Sequence, residues 1–385
     1  MMATRNELNG HGATRREALV LSAGAAIVAA MPAAAAPGAG LNAIASKRGL
    51  RFGSAVAWCP PGADRGGVGN PRYTALLERD CGILVAENEM KWQRLRPTPT
   101  TFDFERADAI AAYAKAKGMA MRGHTLLWHQ TKWMPRWEAS HDFGPRPATA
   151  GAAMLTNHIQ TVIGRYAPRV TSWDVVNEAV NPDGSGLYET ALSRAIGGAE
   201  ATLDLAFRTA RAAAPGAQLV YNDYMSWEPD NARHRAGVLK LFEGFRTRGT
   251  PVDALGVQSH LVTQPGGSLT AQQAEWRRFL DAVTAMGYKL VVTEFDVRDN
   301  GLPADPAARD RAVADYARAY LDVTLGYPQL RDILAWGMTD RYSWIEGFEP
   351  RADKALRRPT LYDREFKPKP LHAAVAAALA AAPKR

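Results

Sequence analysis

Cysteine is nearly absent from this chain, with only Cys59 and Cys81 among 385 residues. One bridge between them is allowed in an oxidising compartment, but two residues make no disulfide framework, and free thiols are the expectation. Neither has a Cys or His partner at metal-ligand spacing, so a small zinc-stapled fold is excluded. The dinucleotide fingerprint is missing too. Gly62-Ala-Asp-Arg-Gly-Gly-Val-Gly69 is a glycine-bearing loop without G-x-G-x-x-G spacing. The histidines are spread over the chain, which leaves metal chemistry without a ligand cluster, and no cofactor is expected. Past the leader no apolar run is long enough to span a bilayer, so no stable membrane association is expected of the mature chain. Internal repeats and low-complexity tracts are absent from the body. An apolar content of 46% suffices for one large core.

A formal net charge of +8 raises the question of nucleic acid. The arginines are scattered over helical segments and loops, and no basic run carries interleaved aromatics. Solvated helix faces explain the charge, so no nucleic-acid partner is expected. The opening segment is different in kind. Thr14-Arg15-Arg16 precedes a short Ala- and Gly-rich apolar run and then Met31-Pro32 with four alanines. That pattern resembles a bacterial twin-arginine export signal, with an Ala-rich leader or a membrane anchor as the alternatives. The expected organisation is a removed signal at 1–36, a linker and first helix at 37–49, and one catalytic domain at 50–385. A periplasmic or secreted monomer is the corresponding expectation.

What the body does contain is an alternation. Short β-rich runs at 52–56, 83–86, 119–122, 170–177, 218–221, 254–257, 289–293 and 332–337 are separated by stretches of helical period. The clearest of these helical stretches are 104–117, 152–166, 189–214, 231–248, 270–286 and 307–325. Thr270 ahead of Gln272-Gln273 reads as a helix start; Gly118 and Pro215-Gly216 read as stops. Repeated β-then-α units predict a single (β/α)8 TIM barrel rather than an open doubly wound sheet. Residues 340–369 are too long for an ordinary connection and read as a functional loop over the barrel mouth. The Ala-rich tail from Leu371 fits a closing helix.

Polar residues at the C-terminal ends of barrel strands converge on one site. Here that rule gathers Glu87, Asn88 and Lys91, then His124, Trp128 and His129, then Asn177 and Glu178. Further on come Asn222 and Tyr224, Gln258 and His260, Glu294 and Asp296, and finally Trp336, Trp344 and Tyr342. Cations are few, while amides and aromatics are many. Phosphate chemistry needs the reverse. Aromatic platforms with amide and carboxylate partners suit a sugar, which has apolar ring faces and a rim of hydroxyls.

Two of these residues, Glu178 and Glu294, end strands built alike. On a glycoside, one carboxyl protonates the leaving oxygen while the other attacks the anomeric carbon or activates water. The acid must hold its proton, and Trp128, Trp173 and Trp344 are candidates for the apolar surroundings that this requires. The other must stay ionised, and His260, held by Asp296, is its candidate donor. Alternation sends Asn177 and Glu178 to opposite faces of a regular strand, so the strand must end or twist between them. Glu89 is expected to face away from Glu87 and to be structural.

Five motifs in order carry a resemblance. Glu-Asn-Glu-Met-Lys-Trp (87–92), Gly-His-Thr-Leu-Leu-Trp-His (123–129), Trp-Asp-Val-Val-Asn-Glu-Ala (173–179), Gln-Ser-His (258–260) and Thr-Glu-Phe-Asp-Val (293–297) resemble those of glycoside hydrolase family 10, the endo-β-1,4-xylanases. The resemblance covers roughly residues 50–374. It implies a (β/α)8 barrel that hydrolyses β-1,4-xylan and xylo-oligosaccharides with retention of configuration. It makes Glu178 the acid/base and Glu294 the nucleophile, with His260 and Asp296 orienting the latter. It places Asn177 on the 2-hydroxyl at the cleavage site, and Glu87, Asn88 and Lys91 on the neighbouring sugar. His124 and Trp128 then line the subsite at the cleaved bond, Tyr224 and Gln258 add contacts, and Trp344 is the stacking floor. Two departures stand out. Gln130-Thr-Lys-Trp-Met-Pro135 alters the usual Gln-and-Pro spacing after His129, and Phe348 and Arg351 stand where a second tryptophan is common. A related barrel glycanase with another β-1,4-glycan substrate, or a non-catalytic sugar-binding barrel, remain as alternatives.

Overall fold

The computed structural model describes residues 38–385; the segment read as an export signal, 1–36, lies outside them. Among the described residues nine strands form one sheet: β1 Arg51–Val56, β2 Ile83–Ala86, β3 Ala120–Trp128, β4 Val170–Asn177, β5 Gln218–Asp223, β6 Ala254–Val257, β7 His260–Val262, β8 Lys289–Arg298 and β9 Leu330–Ala335. Neighbours pair in parallel in the order β6-β5-β4-β3-β2-β1-β9-β8, and a β6–β8 pairing closes the ring. The extra strand does not add a stave to the barrel. β6 pairs with the first half of β8 through Ala254 and Lys289, and β7 pairs with its second half through His260 and Asp296. β6 and β7 are therefore one stave, interrupted where Ser259 turns left-handed at φ 64°. The TIM barrel read from the sequence is present.

The helices are α1 Leu41–Ser46, α2 Pro71–Asp80, α3 Trp92–Leu95, α4 Glu105–Ala116, α5 Pro147–Tyr166, α6 Ala191–Ile196, α7 Ala199–Ala213, α8 Ala232–Arg248, α9 Leu269–Ala285, α10 Pro306–Thr324, α11 Ile345–Phe348 and α12 Pro370–Ala381. Among the described residues none is long and apolar enough to cross a membrane. Their apolar faces pack on the outward side chains of the strands, with Phe52, Leu77, Phe207, Leu219, Phe245 and Trp276 all buried in one continuous core. Each such aliphatic or aromatic side chain contributes on the order of 2 kcal/mol by leaving water. Inside the ring, Ala55, Ile83, Val85, Leu334 and Trp336 form a separate apolar cluster.

Several local readings change. α2 is missing from the helical stretches above, although Tyr73, Leu76 and Leu77 give it a buried apolar face at helical spacing. Its signal is at the start, where Asn70 accepts the N–H groups of Arg72 and Tyr73 and Pro71 opens the first turn. Stretch 189–214 is two helices, parted by Gly197 and Gly198, both at positive φ that other residues rarely adopt. The cap of α9 is Ser268, which accepts from the Ala271 N–H, rather than Thr270. Cys59 and Cys81 are both free and buried. Only the first part of 340–369 reaches the barrel mouth. Arg357 is buried on Asp299 at 2.9 Å and Lys369 on Asp340 at 2.9 Å, so the remainder is an anchored strap.

Candidate active site

A cavity of about 480 Å³ opens at the C-terminal ends of the strands. Every candidate residue except His129, Asn222, Asp296 and Tyr342 lines it, and Asp296 lies directly behind the wall. Gln93, Lys132, Trp133 and Arg298 also line it, and none of them was singled out from the sequence. Trp133 carried the one usable signal, an aromatic close after Trp128; the two rings stack at 4.6 Å and 21°.

Glu178 sits immediately past β4 with φ 52°. The strand ends at Asn177, and the left-handed residue turns the chain so that both side chains enter the cavity. An L-residue there gives up on the order of 1–2 kcal/mol, which the surrounding contacts must offset. Three neutral donors meet the carboxyl. Trp128 Nε1 and Gln130 Nε2 reach Oε2 at 2.9 and 3.2 Å, and Gln258 Nε2 reaches Oε1 at 2.8 Å. Burial raises its pKa to about 7; the Gln258 and Trp128 bonds oppose the rise, and the charges of Asp223 and Glu294 add to it. Gln130, in the run whose spacing departs from the family's, also bonds the Glu178 carbonyl at 3.1 Å. Trp173 has no share in this. Its ring packs on the outer face of the sheet, where a Cβ on Gly123 would lie 2.1 Å from it.

Glu294, within β8, meets a cation instead. His260 Nε2 is 3.2 Å from Oε2, and His260 Nδ1 is 2.9 Å from Asp296 Oδ1. Burial lowers the imidazole's pKa, but Asp296 and then Glu294 outweigh it and raise it to about 9. For Glu294 burial is again the largest influence and opposes ionisation. The His260 hydrogen bond and the fields of His124, His260 and Lys91 overcome it and hold the carboxyl below its ordinary value. Trp344 belongs to this half, not to the surroundings of Glu178, because its Nε1 donates to Asp296 Oδ2 at 2.8 Å.

An amide relay joins the halves. Asn222 Nδ2 donates to Asn177 Oδ1 and to Glu294 Oε1, both at 2.8 Å, while its Oδ1 accepts from Thr293 Oγ1 at 2.7 Å. Gly256 permits this, since a Cβ there would come within 2.5 Å of Asn222 Oδ1. Asn177 Oδ1 is thus occupied, and its Nδ2 is buried without a partner at the cavity wall. A buried, unpaired donor in a cavity is a position for a ligand's acceptor.

Residues 40–378 match the model of glycosyl hydrolase family 10. The chain belongs to this family. It is 32% identical over 350 residues to endo-1,4-beta-xylanase 5 of Pyricularia oryzae, covering 89% of this chain and 79% of that one. Native xylanase 10B of Thermotoga maritima superposes with a TM-score of 0.77 at 29% identity, covering 88% and 98% of the two chains. A xylanase 10C variant from Cellvibrio japonicus, solved with xylopentaose, gives 0.77 at 27% identity over 88% and 69%.

The rest of this family 10 site falls into cavity wall and support. Lys91 Nζ donates to Asn88 Oδ1 at 2.9 Å and lies 4.8 Å over the Trp128 ring. Glu87 lines the wall beside them, its pKa raised by burial. Glu89 turns away, past the end of β2 where strand alternation no longer holds, and accepts the Trp58 N–H at 2.8 Å. His124 bonds Asp174 through Nδ1 at 3.0 Å, and Arg122 holds that carboxylate at 2.5 Å, so the imidazole's other nitrogen remains for the cavity. Tyr224 is a lining residue, whereas Asn222 is a brace. His129 is core support, buried with Nε2 on the Tyr188 carbonyl at 3.0 Å and its pKa lowered by burial to about 4. Tyr342 is not at the site; it bonds Asp64 and Asn70. Of the two residues at the second departure, Phe348 lines the cavity and Arg351 does not, being spent on the carbonyls of Asp299 and Leu302.

Proposed function

We propose that this family 10 glycoside hydrolase cleaves internal β-1,4-xylosidic bonds of xylan and xylo-oligosaccharides with retention of anomeric configuration. The observation that carries the mechanism is the opposed ionisation of two equally buried carboxyls, Glu178 raised to about 7 and Glu294 held low. Glu294 attacks the anomeric carbon as the bond to the leaving oxygen breaks, and Glu178 gives that oxygen its proton. A glycosyl ester on Glu294 results. Water then attacks the same carbon, Glu178 takes the water's proton, and Glu294 leaves as a carboxylate.

The remaining wall residues bind rather than react. The free Nδ2 of Asn177 suits a sugar hydroxyl beside the reacting carbon. Glu87, Asn88 and Lys91 suit the hydroxyl rim of the adjacent sugar, and Trp344 offers a ring face for stacking. The substrate class is supported by the relative named an endo-1,4-beta-xylanase and by the neighbour solved with xylopentaose.

Two variants and one product analysis test the reading. Glu294→Ala should lower turnover of every glycoside by roughly 10⁴-fold or more. Glu178→Ala should cost xylan hydrolysis about 10²–10⁴-fold while sparing glycosylation by an aryl xyloside whose leaving group needs no proton. Equal losses on both substrates would remove the acid assignment. NMR of the first products should show the β-anomer, and an α-anomer formed first would point to inversion.

A further inference from the structure

The mechanism leaves one buried acid beside the pair unused. Asp223 ends β5 and is fully buried. Three groups converge on its two oxygens: the Tyr221 hydroxyl donates to Oδ2, the Tyr224 N–H donates to Oδ1 at 2.8 Å, and His234 Nε2 from α8 lies 3.0 Å from Oδ1. Among the described residues no lysine or arginine lies within ion-pair distance of it.

Tyr221 carries the contact onward. Its oxygen accepts the N–H groups of Ala179 at 3.1 Å and Val180 at 3.2 Å. Those two residues follow Glu178, where the chain has left the β4–β5 ladder through a left-handed turn. Without an acceptor both N–H groups would be buried and unpaired, which a fold avoids. Because the phenol's proton goes to Asp223, its lone pairs are free for the backbone. The acid thus fixes which way the tyrosine hydrogen-bonds, and the tyrosine fixes the turn.

We infer that Asp223, acting through Tyr221, is a positioning residue for Glu178: it holds the turn that presents the acid and keeps a negative charge beside it. The inference rests on Glu178 being the acid. Glu178 is faced by Trp128 and Gln130 from the end of β3, Gln258 from the β6–β7 break and Glu294 from β8. Tyr188 and Tyr224 flank it, and Lys91 lies across the cavity. Of the two carboxylates that raise its pKa, Asp223 acts more strongly than Glu294.

The test compares kcat/KM against pH for a xylo-oligosaccharide and for an aryl xyloside with a good leaving group. Asp223→Asn removes the charge, so the basic limb on the oligosaccharide should move to lower pH by about half a unit to one unit. No such movement is expected on the aryl xyloside, whose first step needs no proton. Tyr221→Phe leaves the charge but removes the acceptor, and should lower kcat on the oligosaccharide about tenfold with little change in KM. An unmoved limb in Asp223→Asn overturns the inference, as does a wild-type kcat in Tyr221→Phe. The second variant decides alone if the first does not fold. Glu178→Ala separates the two claims. Equal losses on both substrates sink the acid assignment itself, whereas a selective loss with an unmoved Asp223→Asn limb sinks only this inference.

Discussion

The ends of β4 and β8 make an instructive pair. Each presents a glutamate that is nearly out of solvent, 8% exposed for Glu178 and 5% for Glu294, and each pays the same kind of desolvation. Their pKa values nevertheless move in opposite directions. Glu178 is met by an indole, two amides and a neighbouring carboxylate, none of which stabilises a charge enough to offset burial. Glu294 is met by an imidazole that Asp296 keeps protonated up to a pH of about 9. Burial alone thus assigns no role. The charge carried by the hydrogen-bond partners sets the direction, and in this barrel it separates a raised carboxyl from a lowered one across a single cavity.

That contrast can be broken from the Glu294 side first. His260→Asn removes the cation, so the Glu294 pKa should rise and the acidic limb of kcat/KM should move to higher pH. The accompanying fall in kcat is expected to be roughly 10²–10³-fold. A pH–rate profile with an unmoved acidic limb would show that His260 is not what holds Glu294 ionised. A smaller effect is expected at the other end. Trp128→Phe removes the 2.9 Å donor that opposes the rise in Glu178, so the basic limb should move upward by less than about one unit. Movement downward would contradict the account of that carboxyl. The smallest effect belongs to the rim. Phe348 is 62% exposed and packs on Trp344 at 4.8 Å, so Phe348→Ala should raise KM about two- to fivefold at constant kcat. A change in kcat instead would place Phe348 closer to the reacting bond than the rim.

Much of this site was legible before the fold was known. Strand-end position identified Glu87, His124, Asn177, Glu178, Gln258, His260 and Glu294, because a barrel gathers the ends of its strands whatever its loops do. Alternation required a break between Asn177 and Glu178, and the break is there as a left-handed residue. The same strand-end rule also admitted His129, Asn222 and Tyr342, which do not line the cavity. His129 and Asn222 stand at strand ends but point their polar atoms into neighbouring backbone and side chains. Trp133, Lys132 and Arg298 were missed for the converse reason. They lie on a loop turn and at the far end of β8, where sequence period says nothing about direction.

The amino-acid sequence by itself determined the alternation of strands and helices, and hence the barrel, because apolar period and strand length are local properties. It also determined which residue types stand at the strand ends. Tertiary structure decided what each of them does. Whether Glu178 keeps its proton depends on Asp223, Gln258 and Trp128, which come from three other staves, and whether Glu294 loses its own depends on His260 across the β7–β8 pairing. Fields and hydrogen bonds act over a few ångströms in space, and neighbours at that range are brought together only when the ring closes.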